Sequence, residues 1–323
     1  MSNAVPEVLV LGAGVSGLVT AVTLAERGAR ITLREIGPKV GSGASWFAGG
    51  MLAPWCEAES APAEVTRDSI MSVGWWAQHV PDVTRHGTLV LAPPRDTPEL
   101  SRFGRKTSHF EVIGGQQIAA LEPDLEDRFD KALFFAGEAH VDPRRALPAL
   151  RERLQSLGGK IIFSASREGG ETDFDWRIDC TGIAARSSLG NLRGVRGEML
   201  LLRCRDVTLR RPVRMLHPRI PVYIVPRAEG IFMVGATMME SDDTGAITVR
   251  SMTDLLNAVY TLHPAFADAE IVEAGVGLRP SFPDNIPRVV RDGRTVHVNG
   301  MYRHGFLLSP ARAEEVKNII FDR

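Results

Sequence analysis

The sequence predicts an α/β (α+β) fold with one parallel sheet and one mainly antiparallel sheet. At the amino end, an apolar strand-like run over residues 7–11 precedes a glycine-rich turn, an amphipathic helix and a second short strand. Residues 195–280 contain several strand-like segments and one helical segment, and residues 294–321 return to a strand and a helix. An α/β unit at both ends and a strand-rich middle indicate two domains, each assembled from separated segments.

The first strand, turn and helix form a dinucleotide-binding signature. In this motif the first glycine makes a tight turn, the second lets the backbone approach a diphosphate, and the third lets the helix pack close to the strand. Glu35 ends the second strand 23 residues after Gly12, where a carboxylate that binds a ribose is expected. A purely structural glycine-rich turn is the alternative, and the motif does not separate FAD from NAD. The predicted binding turn comprises Gly12, Ala13, Gly14, Ser16 and Gly17.

Composition excludes several classes of function. The chain has 323 residues, 24% of them charged, with a net charge of −1, which does not favour nucleic acid as a partner. No apolar stretch approaches the roughly 18 residues of a membrane span, and the amino end shows no signal peptide. Cys56, Cys180 and Cys204 are isolated, so neither a disulfide framework nor a metal site is expected. A reducing cytoplasm is the expected location.

The remaining elements are predicted in chain order. Residues 41–54 form a second loop of small residues. Asp142 is a predicted N-cap, followed by proline at the first helical turn. Ser309 and Pro310 show the same pattern and predict the start of the C-terminal helix, whose positive end favours negative charge. Further helices are predicted at 64–80 and 251–263, and strands at 88–92, 134–135, 139–141, 160–163, 176–182, 197–203, 222–225, 231–235, 270–275 and 294–299.

Several segments carry a family resemblance over essentially the whole chain. They resemble, in order, segments of the glycine oxidases within the D-amino-acid oxidase family of FAD-dependent oxidoreductases. The string from Ala48 to Pro54 and the segment 300–310 are the most specific of them. The other matching segments are residues 223–227, 234–238 and 277–280. The resemblance implies a Rossmann-like FAD-binding domain (1–85, 140–194 and 281–323) and an antiparallel β-rich substrate domain (86–139 and 195–280).

The resemblance also implies roles for individual residues. Arg279 and Tyr223 match family residues that bind the substrate carboxylate, and a guanidinium fork suits that group. Met238 matches a pocket wall, and Arg303 matches an arginine beside the flavin. The alternatives are a structural ion pair, a core tyrosine, a core methionine and a surface arginine. The implied FAD contacts, besides the first turn and Glu35, are Ser45, Ala48, Gly49, Gly50, Met51, Thr181, Gly182, Arg303, His304, Gly305, Phe306, Leu307 and Leu308.

The implied reaction is oxidation of glycine, or of small amino acids such as sarcosine and D-alanine, by FAD and molecular oxygen. The products are an imine or glyoxylate, ammonia and hydrogen peroxide. The FAD is expected to be non-covalent, because no cysteine lies near Leu278. Thiazole synthase, in thiamine biosynthesis, and a second copy of the chain are expected partners. The segment 166–175 is short for the family.

Other functions stay open at this point. Within the family, a D-amino-acid or sarcosine oxidase, or a dehydrogenase, has the same parts. From a different class, a non-catalytic flavoprotein or an NAD-binding module also fits the first motif.

Overall fold

The computed structural model describes residues 5–165, 173–216 and 221–322. Most of the segment predicted to be shortened lies outside the described residues. The helices are α1 (Val15–Glu26), α2 (Pro54–Glu57), α3 (Ala63–Ser69), α4 (Ser72–His79), α5 (Pro98–Lys106), α6 (Gly115–Leu121), α7 (Pro143–Ser156), α8 (Val249–Leu262) and α9 (Gly305–Phe321). The strands are β1 (Glu7–Leu11), β2 (Arg30–Arg34), β3 (Met51–Leu52), β4 (Thr88–Leu91), β5 (Glu111–Gly114), β6 (Lys131–Phe135), β7 (Ala139–His140), β8 (Lys160–Ile162), β9 (Trp176–Asp179), β10 (Arg193–Arg203), β11 (Val213–Met215), β12 (Val222–Pro226), β13 (Ile231–Gly235), β14 (Met239–Glu240), β15 (Glu270–Ser281), β16 (Arg288–Asp292) and β17 (Thr295–Asn299).

The first sheet has the strand order β16-β17-β9-β1-β2-β8. β1 pairs in parallel with both β2 and β9, and only β16 runs antiparallel to its neighbour. Val8, Leu9 and Val10 are fully buried, as expected of a central strand covered on both faces. α1 connects β1 to β2, so the parallel strands end at the same edge as the start of α1, where ligands bind in such sheets.

The second sheet has the order β14-β10-β13-β12-β11-β4-β6-β5, with β15 paired along β10. All its pairs are antiparallel except β11 with β4. One face packs against α8, whose Leu255 and Leu262 are fully buried. The sequence therefore predicted both kinds of sheet correctly, and the fold class is confirmed. The exact domain boundaries stay a prediction.

Two helix predictions were wrong in their extent. The C-terminal helix begins at Gly305, and the Ser309 hydroxyl donates 2.6 Å to the Gly305 carbonyl oxygen instead of accepting from an amide. Ser309 is therefore not an N-cap. The helix predicted at 64–80 is divided into α3 and α4. At the junction, the Ser69 hydroxyl donates 2.8 Å to the Thr66 carbonyl oxygen, a local bond of the kind that competes with the helical ladder.

The N-cap of α7 was predicted correctly. The Asp142 carboxylate accepts a 2.9 Å hydrogen bond from the Arg144 amide, and Pro143 occupies the first helical position. The side chain thus satisfies one of the amides that a helix start leaves without an intrahelical partner.

Candidate active site

A cavity of about 810 Å³ lies between the carboxyl edge of the parallel sheet and strands β10, β12 and β15. Most residues that the sequence assigned to a site line this one cavity, although they are spread from residue 12 to residue 307. The wall contains Gly12, Gly14, Ser16, Glu35, Ser45, Ala48, Gly49, Gly50, Met51, Thr181, Gly182, Tyr223, Met238, Arg279, Arg303, His304, Gly305, Phe306 and Leu307.

Three of the assigned residues lie behind the wall. Ala13 and Leu308 belong to the main hydrophobic core. Gly17 packs against the turn, where a Cβ atom would lie 1.9 Å from the Gly12 carbonyl oxygen. The close packing of helix and strand that the sequence predicted at Gly17 is therefore present, and it excludes any side chain there.

The glycine turn leaves the start of α1 open to the cavity. Gly12 has a φ of +94°, which favours glycine, and a Cβ there would lie 2.7 Å from the Cys180 carbonyl oxygen. Gly14 is the N-cap residue of α1 and carries no side-chain cap. The Ser45 hydroxyl accepts a 3.1 Å bond from the Val15 amide, which ties the second small-residue loop to this turn. Amides at a helix start attract a diphosphate.

Glu35 lies beside the turn with its carboxylate held in place. One oxygen accepts from the Ala13 amide at 2.6 Å and the other accepts from the Gly37 amide at 2.8 Å. Each carboxylate oxygen has a second lone pair, so both can still accept from ribose hydroxyls. The start of α9 at Gly305 also faces the cavity without a side-chain cap. A glycine turn, an oriented carboxylate and two helix starts that face the cavity fit a dinucleotide of the FAD type.

At the other end of the cavity, Arg279 and Tyr223 lie together. The Arg279 guanidinium donates 3.0 Å to the Thr237 carbonyl oxygen and lies close to the Tyr223 hydroxyl. Burial lowers the pKa of Arg279, and the charge of Arg303 lowers it further. Since no carboxylate of the described chain forms an ion pair with this guanidinium, the site offers an uncompensated cation beside a phenol.

Gly197 on β10 makes room for Arg279 and was not predicted. A Cβ at Gly197 would lie 2.3 Å from the guanidinium carbon, so the side chain of Arg279 lies directly on the glycine backbone. β10 and β15 pair side by side at this point, with Gly197 opposite Gly277. No local sequence signal marks this glycine, because its contact partner is 82 residues away.

Glu57, at the end of α2, is the second residue that the sequence did not assign. Its Oε2 accepts from Nε and Nη2 of Arg303 at 2.9 and 2.5 Å. Its Oε1 lies 3.4 Å from Arg214, and His304 Nδ1 lies 3.4 Å from Oε2. Burial opposes its ionisation, but Arg303, His304 and Arg214 outweigh burial and hold the pKa of Glu57 at about 2. The only signal was its position three residues after the family-specific string.

His304 and Met238 complete this end of the cavity. Burial lowers the pKa of His304 to about 4, so the imidazole is neutral at neutral pH. Met238 presents its sulfur 3.4 Å from the Tyr302 hydroxyl and 3.5 Å from Arg303 Nη1. Met238 is 44% exposed, so it is a surface of the cavity and not an ordinary core methionine.

A family model described as FAD dependent oxidoreductase matches residues 7–319. The chain belongs to this FAD-dependent oxidoreductase family. FAD is therefore its cofactor, in agreement with the cavity described above. The NAD-binding module considered from the sequence is thereby set aside.

Two curated relatives of this FAD-dependent oxidoreductase align with nearly all of the chain. It is 55% identical over 310 residues to the "Putative thiamine biosynthesis oxidoreductase ThiO" of Rhizobium etli, covering 96% of this chain and 94% of the relative. It is 27% identical over 361 residues to the "Glycine oxidase" of Pseudomonas aeruginosa, covering 98% of this chain and 95% of the relative.

A solved structure supports the fold. The glycine oxidase from Geobacillus kaustophilus superposes with a TM-score of 0.82 at 22% identity, covering 98% of this chain and 95% of that one. Similarity at this level of identity shows the fold alone.

Three further features concern the cysteines of this oxidoreductase, membrane-spanning helices and metal-binding groups. Cys56, Cys180 and Cys204 are free thiols and buried. Burial raises the pKa of Cys180, which keeps the thiol protonated. In the three described ranges, none of the helices has the length and apolar character needed to cross a bilayer. The same ranges contain no group of three or more side chains arranged to hold a metal ion.

Proposed function

We propose that this oxidoreductase deaminates glycine, and small amino acids such as sarcosine and D-alanine, with molecular oxygen as the final electron acceptor. For glycine, one oxygen and one water are consumed, and glyoxylate, ammonia and hydrogen peroxide are released. The observation that carries this proposal is the Arg279 guanidinium, which faces the cavity beside Tyr223 without a carboxylate partner among the described residues.

A substrate carboxylate would supply that missing negative charge. The guanidinium offers a planar fork with two parallel donors, and the Tyr223 hydroxyl adds a further hydrogen bond. Burial makes such a charge-assisted pair stronger than it would be in water. Because Gly197 and the Thr237 carbonyl fix the guanidinium, the carboxylate would fix the position of the substrate Cα as well.

The bound FAD would accept a hydride, which is a proton with two electrons, from that carbon. The protein then has to orient the substrate and provide complementary charge, and its side chains support this division of roles between protein and FAD. Glu57 is ionised and engaged with Arg303, and His304 has a pKa of about 4. Neither is suited to removing a proton from the Cα of a glycine. We therefore propose that the amino group of the substrate is neutral when it reacts, so that its lone pair assists the departure of the hydride.

The small substrate and the metabolic context are supported by two relatives. One of them is named a glycine oxidase and the other a thiamine biosynthesis oxidoreductase. We propose that the imine product serves thiazole formation, with a thiazole synthase as partner. The role in thiazole formation can be tested by asking whether this chain restores growth without thiamine to a bacterial strain whose own glycine oxidase has been deleted. The FAD is proposed to be non-covalent, so it should be released on denaturation.

Flavin reduction and peroxide release test the reaction itself. Anaerobic glycine should bleach the oxidised flavin absorption of the purified holoenzyme, and aerobic glycine should release hydrogen peroxide. Glycine, sarcosine, D-alanine and D-proline are compared in one series. Bleaching without peroxide would indicate a dehydrogenase, and preference for bulkier D-amino acids would indicate a D-amino-acid oxidase. A flavin that none of these substrates reduces would contradict the proposal.

A further inference from the structure

Two guanidinium groups face the same end of the cavity. Arg279 and Arg303 both line it, and the charge of Arg303 contributes to lowering the pKa of Arg279. Because each guanidinium can bind one carboxylate through two parallel hydrogen bonds, two such groups suit a ligand with two carboxylates. Whether the site can bind such a ligand depends on how much of each positive charge is already neutralised.

The two arginines differ in this respect. Arg303 directs two of its nitrogens at one oxygen of Glu57, and its Nη1 faces the weakly accepting sulfur of Met238. Arg279 donates to the Thr237 carbonyl oxygen, lies close to the Tyr223 phenol and has no carboxylate partner among the described residues. The third arginine nearby, Arg214, lies 3.4 Å from Glu57 and 3.8 Å from Glu59. At the substrate end, Arg279 is therefore the cation that still lacks a negative partner.

Glu57 keeps its own charge under all ordinary conditions. Its carboxylate is 13% exposed and its pKa lies at about 2, far below the pH at which amino acids are oxidised. A second carboxylate placed near Arg303 would thus approach an ionised Glu57. Placing like charges next to each other costs several kcal/mol, and such repulsion is a common source of specificity.

We infer that Glu57 restricts this site to amino acids with a single carboxylate, by engaging Arg303 and by repelling a second negative charge. The inference rests on the proposed function, since it concerns the same substrate site. Glycine, sarcosine and D-alanine satisfy the restriction. Amines with two carboxylates, such as iminodiacetate and D-aspartate, do not. Glu57 is a specificity-determining residue because it lines the cavity itself.

Binding of non-reacting acids to the FAD-loaded enzyme tests the inference. Two pairs of equal chain length serve as probes: propionate with malonate, and butyrate with succinate. Their dissociation constants are obtained from the change in flavin absorption. The wild-type enzyme should bind the monocarboxylate of each pair more tightly. Glu57→Gln, which has a similar size and no charge, should lower the ratio of dicarboxylate to monocarboxylate dissociation constants by on the order of tenfold or more.

Three further variants trace the effect to its cause. Glu57→Asp keeps the charge and should keep a ratio near that of the wild type. Adding Arg303→Gln to Glu57→Gln should abolish the gained dicarboxylate affinity, because Arg303 is the group that becomes available. Glu111→Gln is the control: it removes an exposed carboxylate that does not line the cavity, so the ratio should not change.

Two results would overturn the inference. One is equal affinity of the wild-type enzyme for both members of each pair, which requires no variant. The other is a flavin-loaded Glu57→Gln enzyme with an unchanged ratio. Failure of the proposed function looks different: the wild-type enzyme would bind butyrate, yet glycine would not reduce its flavin. The ratio could still be measured in that case.

Discussion

The indole Nε1 of Trp76 donates a hydrogen bond of 2.7 Å to the backbone carbonyl oxygen of Phe306. Phe306 lies four residues before Pro310 inside α9. In a regular helix its carbonyl oxygen would accept a hydrogen bond from the amide of residue 310, but proline has no amide hydrogen. The side chain from α4 thus replaces the missing helical hydrogen bond in the buried interior. This hydrogen bond explains how α9 continues through Pro310, where the sequence pattern predicted that the helix begins.

Replacing Trp76 by phenylalanine should lower the free energy of unfolding by about 1–3 kcal/mol, because it leaves this buried carbonyl with only the long 3.5 Å hydrogen bond from the Ser72 hydroxyl. Urea denaturation at a fixed FAD concentration measures the loss. The same replacement in a Pro310→Ala background should cost less, since the alanine amide can bond to Phe306. Equal losses in both backgrounds would contradict the assignment.

Gly14→Val should abolish FAD retention. Gly14 faces the cavity at the start of α1, and a Cβ there would already lie 3.2 Å from the Ser45 hydroxyl. The additional methyl groups would occupy the space through which the backbone approaches the diphosphate. The flavin-to-protein absorbance ratio after purification reports the result. Gly190→Val, at an exposed glycine with open space around it, is the control. A fully loaded yellow Gly14→Val protein would exclude the predicted role.

Arg279→Ala should leave FAD bound and reduce kcat/KM for glycine by about a hundredfold or more. Truncating one partner of a buried, hydrogen-bonded charge pair costs about 2–5 kcal/mol. Arg279→Lys should recover only part of the loss, because an ammonium group lacks the planar fork. Steady-state peroxide release measures both variants. An unchanged kcat/KM in Arg279→Ala would show that the carboxylate binds elsewhere.

The sequence analysis succeeded best where a structure depends on interactions between residues close together in the chain. The turn from Gly12 to Gly17 is a local structure, so its geometry is contained in a few consecutive residues. Arg279 and Tyr223 were found through the family resemblance, and the structure brings them to one cavity. The assignment of individual site residues to FAD or substrate stays a prediction.

The features that were missed depend on distant contacts. Glu57 meets Arg303 across 246 positions of the chain, and nothing near Glu57 in the sequence indicates that partner. The start of α9 was misplaced because an N-cap pattern at Ser309 was read without the Trp76 side chain that stabilises the preceding turn. In both cases, a residue from another element determined the local structure.

Gly197→Ala should weaken substrate binding without removing Arg279. The added Cβ would lie 2.3 Å from the guanidinium carbon, so the side chain must move away from its position. We expect KM for glycine to rise by about tenfold, as for a loss of about 1.4 kcal/mol in binding, with FAD content unchanged. Gly190→Ala is the matched control because no atom lies within 4 Å of its Cβ position. A Gly197→Ala enzyme with the wild-type KM would show that the position of Arg279 does not matter.

Glu138 gives the protein a pH dependence whose sign can be worked out. It is 1% exposed, and one carboxylate oxygen accepts from the amides of Trp55 and Cys56 at 3.1 and 2.7 Å. Burial raises its pKa from 4.5 to about 7. The folded state therefore binds the proton more tightly than the unfolded state does. Stability attributable to this group is fully present below pH 4.5 and is lost as the pH rises through 7.

Glu138→Gln should remove this dependence, because a neutral amide oxygen can accept from the same two amides at every pH. At pH ~8.5 the variant should be more stable than the wild type by about 1–3 kcal/mol, and at pH ~5 the difference should become small. Urea denaturation at both pH values, with the exposed Glu111→Gln as control, measures it. The same difference at both pH values would mean that Glu138 does not change its protonation state between them, and the raised pKa would then be wrong.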